Sequence, residues 1–411
     1  MAQPATKSTA LWVLRRLRRA GHQALLAGGC VRDMLLGQRC TDYDVATDAT
    51  PDQVRRLFRH VLLIGAKFGV AMVVHGGKKV EVTTFRSDLS YSDGRRPDAV
   101  RFTTAEQDAQ RRDFTINGMF YDPLADKVID YVRGQADLRS GIVRTIGHPA
   151  DRFAEDYLRM VRAVRFAVRL GFTIEPATAE AICRFAPRIV AISGERIFDE
   201  LTKMLALPSA AQAVGLLEQL RLLGPILPEL ADAEPRTRAI HRLAALARRK
   251  DPVLSLAALL ADLPPKSISR ILRRWGASNQ LRDACCWLAE HLGDWPRAGR
   301  PTQPGQPGMA LCDFKRLLGS EHFGRLKLLW AVEEKRLAGG AQCARQIARR
   351  AAAIPTDQIA PPPLVTGADL MALGLAEGPR LGRILRDLYD AQLNEDFATR
   401  AEAMERTRQM I

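Results

Sequence analysis

The stretch from Leu25 to Pro51, LLAGGCVRDMLLGQRCTDYDVATDATP, constrains this chain more than any other. The residues Ala24 to Ala27 read as a short apolar strand, Gly28-Gly29 as a break, and the next residues as a short helix. After an exposed turn, a second strand is expected to open on Asp42-Tyr43-Asp44. Strand side chains alternate faces, so Asp42 and Asp44 are expected to project from one side, roughly 7 Å apart. Two carboxylates that close repel, and a hard divalent cation with oxygen ligands removes the penalty. Gly28 and Gly29 let backbone N–H groups approach an anion, and Arg32 follows on the helix within reach. A lone Asp-x-Asp is ordinarily a solvated strand edge, and a Gly-Gly ordinarily a turn. Joined, these parts point to a metal–nucleotide site for phosphoryl or nucleotidyl transfer.

The joined pattern GGCVRDMLLG…DYDVAT resembles the first motif of the class II tRNA nucleotidyltransferases, the family of bacterial CCA-adding enzymes and bacterial poly(A) polymerases. The resemblance is dense from about Leu11 to Leu205. It implies an α+β fold: a polymerase-β-like nucleotidyltransferase head with a mixed β-sheet, followed by an all-α neck, body and tail. The boundaries read from the sequence are 1–147 for the head, 148–207 for the neck, 208–295 for the body and 296–411 for an RNA-binding tail.

Composition fits a polyanionic partner. Of 411 residues, 61 are Lys or Arg and 46 are Asp or Glu, a net charge of +15. RNA suits that balance, although an arginine-rich composition alone would produce it too. No run of about 18 apolar residues is present, so no membrane partner is expected. The seven cysteines match no zinc spacing, and a reduced, cytoplasmic protein is expected. The N-terminus is Arg-rich and its first acidic residue is Asp33. The segment Ala10–Ala20 has helical apolar spacing and leads into the glycine turn, so it is read as the domain's first helix rather than a targeting peptide.

Along the head, Asp52–Phe58 reads as helix behind Pro51. Val70–His75 and Lys79–Thr84 read as a hairpin across Gly76-Gly77. Glu81 shares a face with Thr83, opposite Val80 and Val82. It is a third candidate carboxylate beside Asp42 and Asp44, with a solvated strand residue as the alternative. Arg86–Arg101 is polar, contains Gly94 and Pro97, and reads as a mobile loop. In the family this loop is linked to addition of the final A, and relatives that add only CC have it shortened. Here it is full length, so A addition is expected.

Arg111–Met119, RRDFTINGM, closely matches the family's second motif. By that match Arg112 and Asp113 recognise the ribose and phosphates; a surface ion pair is the reading without it. Arg152–Leu170 reads as one helix with Leu158, Val161, Val164 and Val168 on its apolar side. Arg159, Arg162 and Arg165 recur every three residues, which spacing alone would assign to a solvated basic face. Glu155-Asp156-x-x-Arg159 matches the family's EDxxR motif. A carboxylate accepts from the exocyclic amine of C or A, and an arginine donates to a ring acceptor. Asp156 and Arg159 would thereby stand in for a complementary base, with Arg162 and Arg165 on the triphosphate. Glu195, Arg196 and Glu200, in SGERIFDELTKML, are expected to brace that helix.

The C-terminal half is less informative. Some relatives carry a His-Asp phosphohydrolase domain, but the corresponding stretch here is Ala261-Asp262, without the His, and no such activity is expected. Pro296–Pro307 and Pro361–Pro363 read as breaks between helices. Gly367, Gly374, Gly378 and Gly382 are read either as points of close approach to RNA phosphate or as tight helix packing.

The expected function is template-independent addition of CCA to the 3′ end of tRNA, with CTP and ATP as substrates, two Mg²⁺ on Asp42 and Asp44 in a two-metal mechanism, and no DNA partner. Poly(A) synthesis, or addition of CC or A alone, is the alternative within the family. A non-catalytic RNA-binding protein is the alternative outside it, and the adjacent carboxylates argue against that.

Overall fold

The structure, a computed structural model, describes residues 3–4, 6–63, 68–88, 99–302 and 308–411. They form two compact units: residues 1–233 with 274–276, and residues 234–273 with 277–411.

The first unit opens on β1 (Gln3–Pro4), α1 (Lys7–Arg19), β2 (Ala24–Ala27), α2 (Gly29–Leu35) and β3 (Asp44–Thr47). Next come α3 (Pro51–Leu57), β4 (Val61–Leu62), β5 (Val70–His75), β6 (Lys78–Thr84), β7 (Arg86–Asp88) and β8 (Val100–Phe102). Then follow α4 (Ala105–Gln110), β9 (Phe120–Asp122), β10 (Lys127–Ile129), α5 (Gly134–Ser140) and β11 (Ile142–Val143). The main sheet has the order β10-β9-β2-β3-β6-β5-β4, with β1 also pairing β6. β2 runs antiparallel to β3, and β3 runs parallel to β6, so the sheet is mixed.

The pleat decides what each face carries. Ala27 pairs with Asp44, Leu25 with Ala46, and Ala46 with Thr83. These residues therefore share one face, together with Glu81 two residues before Thr83. Leu25, Ala27, Ala46, Phe85 and Phe120 pack there against Ala105 and Ala109 of α4. Asp44 and Glu81 lie at the uncovered end of that face. The opposite face is closed by α1, whose Ala10, Val13, Leu14 and Leu17 are buried at helical spacing.

Three expectations need correction. The second strand starts at Asp44, not Asp42. Its neighbour β2 ends at Ala27, opposite Asp44, and Gly28 with φ +72° turns the chain away. Asp42 and Tyr43 thus have no partner strand, and Asp42 precedes the strand instead of sharing its pleat. The stretch Arg86–Arg101 is not all loop, because its ends pair as β7 and β8, Arg86 opposite Phe102. Its middle, with Arg95 and Arg96, lies outside the described residues. Finally, Arg152–Leu170 is two helices, α6 (Pro149–Glu155) and α7 (Leu158–Leu170). Asp156 between them is extended, φ −156° and ψ 104°. Its carboxylate accepts from the Leu158 N–H at 3.0 Å, capping α7 in place of continuing α6.

The remaining elements of this unit are helical apart from β12 (Thr173–Ile174): α8 (Pro176–Phe185), α9 (Gly194–Leu205), α10 (Ala210–Gln219) and α11 (Leu223–Ile226). Among its described residues the second unit is helical, from α12 (Ala233–Leu246), α13 (Pro252–Leu260), α14 (Pro265–Arg274) and α15 (Asn279–Glu290) onward. Asp262 there pairs with Arg242 at 2.7 Å, and Arg242 also donates to Glu333 at 2.6 Å. The carboxylate at the Ala261-Asp262 position is thus held in an ion-pair network.

Candidate nucleotide site

A cleft of about 930 Å³ opens in the first unit, and its walls carry the candidate metal- and nucleotide-binding residues of the sequence analysis. Gly28, Gly29, Arg32, Asp42, Asp44, Glu81, Arg112, Asp113, Asp156, Arg159, Arg162 and Arg165 all line it. Sequence separations of more than a hundred residues close there because α7 lies against the head's glycine turn and its Arg112-Asp113 segment.

One end of the cleft is acidic. Asp44 has its carboxyl raised to about 7, by burial first and then by the charges of Glu81 and Asp42, with Arg112 opposing. Glu81 is raised as well, by desolvation in the cleft wall and then by Asp42. Neighbouring carboxylates that destabilise one another's ionised form suit a cation. Among the described residues no three His, Cys, Asp or Glu side chains gather into a closed metal cage. Asp42 is exposed, and its Oδ1 accepts from the Tyr43 N–H at 3.1 Å.

The other walls are basic, and every arginine is already engaged. Gly28 takes its left-handed conformation where a Cβ would stand 3.1 Å from Arg112 Nη1. Only glycine lets the turn and that guanidinium lie so close. Arg112 in turn is held by Asp108 at 2.9 Å. Arg32 is 2% exposed, donating through Nε to Asp33 at 2.8 Å and through Nη1 to Asn117 at 2.5 Å. Asp33 also receives Arg169 of α7 at 2.8 Å. Arg32, Arg162 and Arg165 all stand over the ring of Phe166, at 5.1, 5.5 and 4.2 Å from its centroid.

Asp113 is saturated by protein. Its Oδ1 accepts from the Phe114 N–H at 2.8 Å and the Asn117 amide at 3.0 Å. Its Oδ2 accepts from Arg162 Nε and Nη2 at 2.9 and 2.6 Å. A carboxylate offers about four lone-pair sites, so a ribose hydroxyl reaches Asp113 only by displacing one of these donors. Burial alone would raise this carboxyl, but Arg162 and the Asn117 amide outweigh it and hold it at about 2.

The Arg159 backbone N–H donates to the Asp156 carbonyl at 3.0 Å, while the two side chains have other partners. Arg159 donates to the Arg152 carbonyl at 3.0 Å and pairs with Glu155. Asp156 receives Arg196 of α9 on both oxygens, at 3.3 and 2.7 Å. With Leu158 also on Oδ1, the free acceptor capacity lies on Oδ2. One turn further along α9, Glu200 is 2% exposed and pairs with Arg165, with Arg162 Nη1 at 3.7 Å. Sequence reasoning missed Phe166, Arg169 and Asp33 as parts of this site. Arg169 continues the arginine series of α7 by one turn after Arg165, which was the available signal. Phe166 carried none beyond its helical position.

The family model described as "Poly A polymerase head domain" matches residues 24–144. A second, "Probable RNA and SrmB- binding site of polymerase A", matches residues 171–234. The chain is 40% identical over 291 residues to a CCA-adding enzyme of Geobacillus stearothermophilus, covering 70% of this chain and 71% of that one. It is 44% identical over 232 residues to poly(A) polymerase I of Salmonella typhi, covering 54% of this chain and 50% of the relative. The crystal structure of the Bacillus stearothermophilus CCA-adding enzyme in complex with CTP superposes with a TM-score of 0.79 at 32% identity, over 97% of both chains.

Proposed function

The chain belongs to the tRNA nucleotidyltransferase and poly(A) polymerase family, and on that premise we propose that it adds CCA to the 3′ end of tRNA. CTP and ATP are the substrates, pyrophosphate is released, and no nucleic-acid template is used. The observation that carries CCA addition over A-tailing is extent: sequence likeness to a CCA-adding enzyme runs over 70% of this chain and 71% of that relative, whereas the poly(A) polymerase match covers 54% and 50%.

In the reaction, the RNA 3′-oxygen forms a bond to the α-phosphorus of CTP or ATP, and the bond from that phosphorus to the bridging oxygen breaks. Asp42 and Asp44 would hold two divalent cations, taken as Mg²⁺, with Glu81 beside them. Bound there, such cations lower the pKa of the attacking hydroxyl and neutralise the leaving pyrophosphate. The glycine turn at Gly28 and Gly29 lets the triphosphate approach the backbone. Arg32, Arg112, Arg162 and Arg165 surround it with positive charge. Each exchanges part of a protein contact for phosphate, which keeps the guanidiniums in place before substrate arrives. Asp113 acts on the nucleotide chiefly by holding Arg162, and a ribose contact requires one of its donors to give way.

Base selection falls to Asp156 and Arg159. Asp156 Oδ2 accepts the exocyclic amine that C and A share, and Arg159 donates to the neighbouring ring nitrogen. G and U present a carbonyl where the amine would be, and an acceptor facing an acceptor is rejected. Residues 1–147 supply the chemistry, 148–207 the base-reading helix, 208–295 the helical body, and 296–411 the tail that holds RNA. Among the described residues no helix is long and apolar enough to cross a membrane, and we place the work in the cytoplasm, where tRNA is matured.

The test is a comparison of acceptors. Incubation with tRNA lacking CCA should give extension from CTP and ATP, and an oligo(A) primer with ATP alone should give little. Efficient tailing of oligo(A) would move the protein to the poly(A) polymerase side of the family.

A further inference from the structure

The bracing helix α9 is itself braced from behind, by a segment far away in sequence. Residues Arg274–Gly276 pack with the first unit although the chain on both sides belongs to the second. Their fit against α9 is close enough to exclude side-chain atoms. A Cβ on Gly194 would stand 2.1 Å from the Arg274 carbonyl oxygen, and a Cβ on Gly276 would stand 2.5 Å from Glu195 Cγ. Gly276 also sits at φ +68°, where any other residue is strained. Between these two glycine contacts Trp275, 2% exposed, stacks on Phe198 with ring centroids 5.5 Å apart and planes 22° from parallel. Arg274 is anchored in turn by Glu229 at 3.1 Å.

The geometry of α9 makes this contact more than packing. An α-helix turns by about 100° per residue, so Gly194 and Phe198 lie on one side and Arg196 and Glu200 on the roughly opposite side. The first side meets the Arg274–Gly276 segment. The second meets α7 and its approach, where Arg196 holds Asp156 and Glu200 holds Arg165. The helix is a strut between a wedge and the base-reading residues.

We propose that Trp275 is a positioning residue for base selection: wedged on Phe198, it fixes the rotation of α9 and thereby the orientation of the Asp156 carboxylate and the Arg165 guanidinium. It touches neither nucleotide nor RNA end. Because Arg196 grips both oxygens of Asp156, a small rotation of α9 re-aims the lone pair left for the base amine. The inference rests on the reading of Asp156 as the base-selecting acceptor.

The experiment measures kcat/KM for CTP, ATP, UTP and GTP on tRNA lacking CCA, for the full chain and for Trp275→Leu, Trp275→Phe and Arg196→Ala. Trp275→Leu keeps an apolar side chain but removes the stacking ring. It should lower the ratio of CTP to UTP efficiency by roughly ten- to a hundredfold, with KM for tRNA unchanged. Trp275→Phe, which keeps a ring on Phe198, should retain most of the ratio. The double variant Arg196→Ala with Trp275→Leu should lose no more selectivity than Arg196→Ala alone, because both act through Asp156. A folded Trp275→Leu protein with the parent's ratio, even one with a lower melting temperature, overturns the proposal, as does a fully additive double variant. Should Trp275→Leu not accumulate folded, Phe198→Leu reads the other half of the stack and the same outcomes apply. The parent enzyme separates the two readings: if it does not discriminate among the four nucleotides, the assignment of Asp156 fails, and if it discriminates while the variants do too, only the wedge fails.

Discussion

Arg196 donates both outer guanidinium nitrogens to Asp156, Nη2 to Oδ2 at 2.7 Å and Nη1 to Oδ1 at 3.3 Å. Together with the Leu158 N–H on Oδ1, this two-pronged grip aims a carboxylate that sits at a break between helices. Asp156→Ala should slow use of CTP and ATP and relax rejection of UTP and GTP, by about 1–3 kcal/mol in selectivity. Arg196→Ala should reproduce the loss of selectivity in weaker form. Steady-state kinetics with all four nucleotides would show it, and unchanged selectivity in Asp156→Ala would remove Asp156 from base reading.

Asp44→Asn and Asp42→Asn should each reduce nucleotide addition by at least about a hundredfold, since the bound cation contributes several kcal/mol to the transition state. Asp44→Asn should also fold at least as well as the parent without metal, because it removes a buried charge crowded by Glu81 and Asp42. Chelation should stop the parent enzyme and Mg²⁺ should restart it. Full activity in either purified variant would end the metal assignment.

The Asp113–Arg162 pair gives a pH signature. Asp113 is held at about 2, since Arg162 and Asn117 outweigh its burial. An acid with a depressed folded pKa contributes stability that is complete above its unfolded value, near 3.9, and is lost as pH falls toward 2. Asp113→Asn should therefore be destabilised by on the order of 2 kcal/mol at pH 7, and the gap should close between about pH 4 and pH 2. Denaturant titrations across that range measure it. A gap that stays constant to pH 2 would contradict the pairing.

Much of this site was legible because its chemistry is carried by short local patterns. The Gly28-Gly29 break, the β5–β6 hairpin and the shared face of Glu81 and Thr83 follow from strand alternation and turn residues. What was not legible depends on neighbours distant in sequence. Whether Asp42 joins β3 is decided by where β2 ends, at Ala27. The break at Asp156 competes with strong helical spacing on both sides, and the structure resolves it through the Leu158 cap and the reach of Arg196 from α9. Asp113 reads as a free ligand in RRDFT, yet Asn117 and Arg162 occupy it. That Arg274–Gly276 would lodge behind α9 had no local signal.

All of the segment Asp88–Asp98 after Asp88 lies outside the described residues, and its role is argued from the sequence. Asp156 and Arg159 must serve C first and A later, and the two bases differ in size, so something has to readjust the pocket. Replacing Ser90–Arg96 by a short Gly linker should leave CC addition largely intact and impair the final A. Product length on tRNA lacking CCA, with both nucleotides present, checks this. Products that still end in CCA at the parent's rate would refute the role.

The most direct test of the whole account is the 3′ sequence made by the unmodified protein on tRNA lacking CCA, supplied with CTP and ATP together and with ATP alone. The account predicts C, C and A in that order, then a stop, and almost no extension without CTP. Long A-tails formed without CTP would contradict it.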